Sequence, residues 1–394
     1  MNITFVFASL SYMVLFAASV SMVPLYNIYV KSIQLQTAEM TLATVFYFGG
    51  CALALLFLPG LANHLGRKPM GYIALLLGII AMIGMINANS HWMIIFARLV
   101  LGIACGISAN VLSVLIIESG IYQKKAVVNV IAGSMMYIGI GLGALLSGAL
   151  EQISQSLAFD SYWILIILLL ICLVGLLFGA ETLAARSYKG MLKSMRPRVA
   201  IPHEARAIIL PSFFILFTIW AMGGYFQSYS SLLELHIFKQ SGSLVSALIL
   251  VAYMLCNSIG ITMGERFVSR IKGKKAGVVL YVLFVGLLAL SLPLNSILLC
   301  IVGVLGSGIG MGIAYSNTLQ SLLSLAKPAE RAGLLSFFFL AAYGGAALVT
   351  FVSGQLSHFL SFNAITLMFF VWLAIFGIIA LILNSEDKKE GFES

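Results

Sequence analysis

The chain has 394 residues, of which 61% are hydrophobic and 9% charged, against roughly a quarter charged in soluble domains. This composition excludes an aqueous enzyme or binding module and indicates a membrane protein. The formal charge of +9 does not point to nucleic acid, because the basic residues sit where orientation in a bilayer demands them.

Twelve spans near the twenty or so apolar residues a bilayer requires are expected at 4–28, 38–61, 70–88, 92–118, 126–149, 161–181, 207–233, 243–266, 276–294, 296–324, 332–357 and 362–384. No cleavable leader is expected, since the first residues lack Lys and Arg and the opening apolar run exceeds signal-peptide length. Span 1 carries Tyr12, Ser19 and Tyr26 at seven-residue spacing, which predicts one helical face. Span 2 opens with Glu39. The link to span 3 holds Gly60, Asn63, His64, Gly66, Arg67 and Lys68.

Span 4 places Arg98, Gly102, Gly106 and Asn110 at four-residue spacing, so they share one side of a helix. A charge this deep is costly unless paired, which makes a functional role the default hypothesis. Glu39, at similar depth, is a candidate partner. Two readings stand: a proton on Glu39 or a competing substrate frees Arg98, or the two form a permanent structural pair. Span 7 carries Trp220, Gln227 and Glu234, again at seven-residue spacing, and Glu234 is a second proton-carrier candidate whose end position favours a solvated rim. Span 10 carries Tyr315, Ser316, Asn317 and Gln320.

Lys and Arg alternate between the connections. Arg67, Lys68, Lys124, Lys125, the 182–206 linker cluster, Arg266, Arg270, Lys272, Lys274, Lys275, Lys327, Arg331, Lys388 and Lys389 fall on one side, and only Lys31 and Lys239 on the other. The basic side is then cytoplasmic and both termini lie inside. The linker, with two of the eight prolines, is read as a solvated tether. The expected organisation is a six-helix bundle at 1–181, a linker at 182–206, a second bundle at 207–385 and a tail at 386–394.

The first half recurs in the second. Gly102, Gly106, Tyr137, Gly139, Ser147 and Gly148 reappear, shifted by 206 residues, as Gly308, Gly312, Tyr343, Gly345, Ser353 and Gly354, and Tyr47 lands on Tyr253. The same shift puts Arg98 on Val304, so the buried cation is not part of the shared scaffold.

The link between spans 2 and 3 resembles the signature of the major facilitator superfamily: Gly, three residues, Asp-Arg, one residue, then Gly-Arg-Lys. Gly60, Gly66, Arg67 and Lys68 are read as matches, while Asn63 replaces the aspartate and His64 the arginine. The segment from Ser269 to Lys275, with Arg270, resembles a degenerate second copy. Arg98 with Gly102, Glu118 with Lys125, and Ala180-Glu181-Thr182 resemble further patterns of the family, and Gly139, Gly141, Gly143 and Gly148 resemble the glycine-rich stretch of its exporters.

The resemblance implies an all-α fold of two six-helix bundles. It also implies a cytoplasmic gate at Gly60, Asn63, His64, Gly66, Arg67, Lys68, Glu118, Lys125 and Arg270, and a central cavity lined by spans 1, 4, 7 and 10. The substrate candidates are then Tyr12, Tyr26, Arg98, Asn110, Trp220, Gln227, Tyr315 and Asn317, and the proton-coupling candidates Glu39, Arg98 and Glu234. Aromatic and amide groups suit a small amphipathic organic molecule. No Asp or Glu occupies the middle of a span, which disfavours a dedicated cation site. The scattered histidines and the five cysteines in apolar runs predict no metal or disulfide, and no phosphate-binding loop precedes Lys-Ser or Lys-Thr. The expected protein is a monomeric proton-coupled exporter in a bacterial cytoplasmic membrane, without cofactor and not an enzyme, whose partners are substrate, protons and membrane lipids. Proton-coupled nutrient uptake or an uncoupled facilitator are the alternatives.

Overall fold

The computed structural model describes residues 2–120, 123–183, 188, 190–195, 206–239, 243–264, 270–325 and 331–390. Among them there is no strand. The helices are α1 Ile3–Val20, α2 Tyr26–Ile33, α3 Thr37–Phe57, α4 Pro59–Leu65, α5 Arg67–Ile86, α6 His91–Ser119, α7 Lys125–Ile153, α8 Asp160–Leu177, α9 Met191–Ser194, α10 Arg206–Leu233, α11 Ser243–Gly264, α12 Arg270–Ser291, α13 Ile297–Ser324, α14 Arg331–Leu356 and α15 Phe362–Glu390. A π turn, Glu234–Phe238, continues α10.

Among the described residues, twelve helical segments are long and apolar enough to cross a membrane, one for each expected span. In hydrocarbon the backbone has to satisfy its own polar groups, and helices do so within one segment. Phe96, Ile171, Leu283 and Ile382 are exposed on the outside of these helices, a surface that suits lipid rather than water.

Span 1 departs from expectation. Its helix stops at Val20 and resumes at Tyr26, through a turn in which the Val23 and Leu25 amides donate to Val20 and Met22 carbonyls at 3.0 and 2.9 Å. Pro24 lies in this turn, where it has no N–H to continue the ladder. The break leaves carbonyls at the end of α1 without intrahelical donors. It also puts Tyr26 on a different helix from Tyr12 and Ser19, so the expected common face ends at Ser19.

The chain divides into two compact units, Met1–Pro197 with Gly242–Leu248, and Arg198–Ser241 with Ile249–Ser394. In unit 1, α1 packs on α6, α7 and α8, and α6 packs on α3 and α5; in unit 2, α10 packs on α14 and α15, and α12 on α13 and α15. The small residues decide the closest contacts. A methyl group at Gly102 would overlap the Tyr47 carbonyl, and one at Gly308 would meet the Tyr253 carbonyl at 2.6 Å. One helical turn on, a methyl at Gly106 would meet the Cys51 carbonyl at 2.7 Å, and one at Gly312 would overlap that of Asn257. Each of these four contacts maps onto its counterpart by the shift of 206, so the sequence repeat is a repeat of contacts. Gly139 and Gly143 on α7 likewise lie against Met13 and Ala17 carbonyls of α1, and Gly345 on α14 against Phe217 of α10. The glycine-rich stretch of span 5 is thus packing material that unit 2 also uses.

Candidate functional site

In unit 1 the centre is Arg98, which is fully buried. Its Nη1 donates to the Ser19 carbonyl at the broken end of α1, and its guanidinium lies 4.5 Å from the centroid of the Tyr47 ring. Both partners follow from the backbone. The end of a helix is partially negative, and the break at Ser21 brings such an end to Arg98. Gly102 lets α3 approach α6 closely enough for the Tyr47 face to serve a desolvated cation, an interaction worth about 2 kcal/mol.

Glu39 does not join this site. Its carboxylate accepts from the Gln36 amide at 2.9 Å, in a capping box at the start of α3, and lies 3.1 Å from Nδ1 of His91. The capping geometry folds the side chain back on its own helix end, whereas Arg98 lies seven residues along α6 from His91, roughly 10 Å at 1.5 Å per residue. Glu39 therefore stands apart from Arg98, contrary to the expected pairing. Tyr12 is buried edge-on against Phe16 at 5.3 Å, and the Tyr26 hydroxyl is 3.4 Å from that of Thr44. Asn110 is half-buried on α6.

The link between α3 and α5 forms a second cluster. Arg67 donates to Asn63 Oδ1 at 2.7 Å and pairs with Glu118 at 3.5 Å, so the amide at Asn63 leaves the ion pair to Glu118. Thr182 Oγ1 also donates to Glu118. Glu181 is the residue the site prediction missed: its carboxylate accepts from the amides of Arg67, Lys68, Thr182 and Leu183 at 3.0 to 3.1 Å. It thereby caps the positive N-terminus of α5, and its place in the Ala180-Glu181-Thr182 pattern was the available signal.

The two glycines of the link differ. Gly66 has φ 107°, the left-handed region that makes the turn into α5. Gly60 instead gives room to the linker, because a methyl there would overlap the Ser194 carbonyl of α9. Counting back from Asn63, the signature's opening glycine falls on Pro59, so Gly60 is not that glycine. The linker is accordingly seated on α4 at this point rather than solvated throughout. His64 is half-buried on α4. Lys125 and Arg270 open α7 and α12, and their side chains lie outside the described ones, as do residues 265–269 of the second copy.

In unit 2 the sequence candidates on α10 and α13 meet. Trp220 lies 6.2 Å from Tyr315 and 4.9 Å from Tyr343 on α14, and Tyr315 lies 5.4 Å from Phe338. The indole Nε1 of Trp220 is buried and donates to no acceptor among the described residues. Such an orphan costs about 1–3 kcal/mol, which a bound acceptor would recover. Tyr343 was visible in the sequence only as a repeat match. Gln227 is buried. Glu234 is fully buried, not a rim residue, because α10 does not end beside it but continues as the π turn, which packs on α13. Asn317 gives both amide hydrogens to the Gly264 and Ile313 carbonyls at 3.1 and 3.0 Å. Those bonds tie helices together, and the amide has no further donor for a substrate.

Twelve apolar helices among the described residues, in two units with matching glycine contacts and with buried aromatic and ionisable groups, define a multi-pass membrane protein of the secondary transporter class. The chain belongs to the Major Facilitator Superfamily, whose family model matches residues 4–317. It is similar in fold to the POT family transporter PepTSo (12% identity, TM-score 0.76, 99% of each chain covered) and to the nucleoside transporter NupG (14% identity, TM-score 0.73, 97% of this chain and 99% of that one). It is also similar to a bacterial homolog of the human lysosomal transporter Spinster in an inward-facing, occupied conformation, at 15% identity and TM-score 0.66, covering 98% of this chain and 96% of that one. No curated protein matched the sequence.

Proposed function

We propose that this protein is a proton-coupled carrier that exports a small amphipathic organic compound across a bacterial cytoplasmic membrane by alternating access. It acts as a monomer, with both termini cytoplasmic as the distribution of Lys and Arg indicates. The observation that carries the reading is the Trp220, Tyr315 and Tyr343 cluster with its unpaired indole N–H. The rings offer flat apolar faces, and the single donor selects a cargo with an acceptor at the edge of its ring or chain. Gln227, buried on α10, is the further polar contact in the same unit.

Glu234 is the proton carrier in this reading, as a fully buried carboxyl in the same unit as the aromatic cluster. Arg98 holds the broken end of α1. The Arg67, Glu118 and Glu181 cluster forms one gate. Uptake of a small nutrient is the second reading, favoured by the likeness to the nucleoside and POT family transporters. The glycines of span 5 do not favour export over it, since they serve packing.

The test is proton flux in proteoliposomes of known orientation, with a pH-sensitive dye inside, on adding neutral, zwitterionic, anionic and cationic aromatic compounds. Substrate-driven proton movement opposite to the cargo supports export by antiport, and movement in the same direction supports uptake. Transport without any proton signal removes the coupling.

A further inference from the structure

Unit 1 has a cleft of about 490 Å³ on its outer face that none of the groups above uses. Ile3 and Phe7 of α1 form one wall, and Ile171, Val174, Gly175 and Phe178 at the end of α8 form the other. Gly175 makes the cleft possible: the Phe7 ring lies where any side chain at 175 would be. Ile3, Ile171, Val174 and Phe178 are all exposed. No lining residue offers a charged or polar side chain, so a polar cargo finds nothing to bind, whereas a hydrocarbon chain needs nothing more.

One cation stands beside this cleft. The Lys68 ammonium donates to the Leu177 carbonyl at 3.4 Å and to the Gly179 carbonyl, on either side of Phe178 in the chain, and lies 5.9 Å from the Tyr72 ring centroid. An ammonium has three donors. Two are spent on these carbonyls, and none of the described residues accepts the third.

We propose that the cleft is a phospholipid site, in which one acyl chain lies between α1 and α8 while an anionic phosphate headgroup takes the free donor of Lys68. The acyl chain gains nothing by leaving water, since it is already in the bilayer; its retention comes from close contact with the cleft walls. The charge-assisted bond to the phosphate adds selectivity for anionic headgroups. By the distribution of basic residues this lipid belongs to the cytoplasmic leaflet.

The experiment is photolabelling of the full chain in nanodiscs, using phosphatidylglycerol or phosphatidylcholine with a diazirine near the middle of one acyl chain, followed by peptide mapping. The expected result is labelling concentrated on 3–7 and 167–178, several-fold stronger with phosphatidylglycerol. Val174→Trp and, separately, Ile171→Trp, both at exposed positions that keep the helix apolar, should cut that labelling at least fivefold with an unchanged size-exclusion profile. Lys68→Gln should equalise the two lipids. Labelling spread evenly over exposed residues such as Leu283 and Ile382, or insensitive to both tryptophans, would overturn the site. Equal labelling by the two lipids in the unmodified chain would overturn the role of Lys68.

Discussion

At Gly102 and at Gly308 the two units make the same contact, a glycine laid against the carbonyl of Tyr47 or of Tyr253, yet they surround it with different chemistry. In unit 1 the Tyr47 ring lies against Arg98. In unit 2 the position of Arg98 is the buried Val304, and the Tyr253 hydroxyl turns to the Met311 sulfur at 2.8 Å. The neighbouring helices differ to match. Where α1 breaks at Ser21, α10 runs on through Tyr225 and Phe226, leaving no carbonyls for a cation. The comparison teaches that a buried arginine is accommodated by a local defect in a helix as much as by a counter-charge. Unit 1 joins the defect to Arg98; unit 2 has neither at the matching positions, and holds the aromatic cluster with the buried Glu234 and Lys274 elsewhere.

The largest effect should come from the shared contact itself. Gly102→Leu and Gly308→Leu both push a side chain into a helix backbone, and both should abolish the monodisperse peak in size-exclusion chromatography. If only one does, the units do not share this contact in the way argued. Val304→Arg comes next. It buries a cation where no helix end receives it, at a cost of about 2.5 kcal/mol or more, and should lower the thermal midpoint well below that of Arg98→Leu. A third way to sharpen the comparison is Trp220→Phe, which keeps the ring and removes the donor; a bond worth about 1 kcal/mol predicts a KM raised roughly fivefold with little change in kcat. The smallest effect is expected of Glu39→Gln, whose carboxylate serves His91 and its own helix end. The pH profile of transport should stay unchanged, and a shifted profile would return Glu39 to the mechanism.

The twelve helices and the repeat were legible in the sequence because apolar length and glycine spacing are set by local physics: the bilayer fixes one, close backbone approach the other. Arg98 was legible as an exception to the same rule. Its partners were not, since a carbonyl at a helix break carries no side-chain signature, and Pro24 was the one hint. Trp220 and Tyr315 could be read as polar-tipped aromatics on two spans, but Tyr343 and Phe338 join them only through the packing of α14. Glu181 was visible as part of a motif, and its role as a cap on α5 needed the folded chain. The placement of Glu234 inside unit 2 depends on a π turn, which no periodicity argument anticipates.

The central claim is that unit 2 holds both cargo contacts and the coupling proton, while Arg98 maintains the structure of unit 1. It is tested most directly by comparing two assays on Glu234→Gln in proteoliposomes, with the compound that the flux panel identifies. One is accumulation driven by a pH gradient, and the other is exchange of labelled for unlabelled compound at equal pH. The account predicts that accumulation is lost while exchange persists at close to the unmodified rate. Accumulation equal to that of the unmodified protein would contradict it.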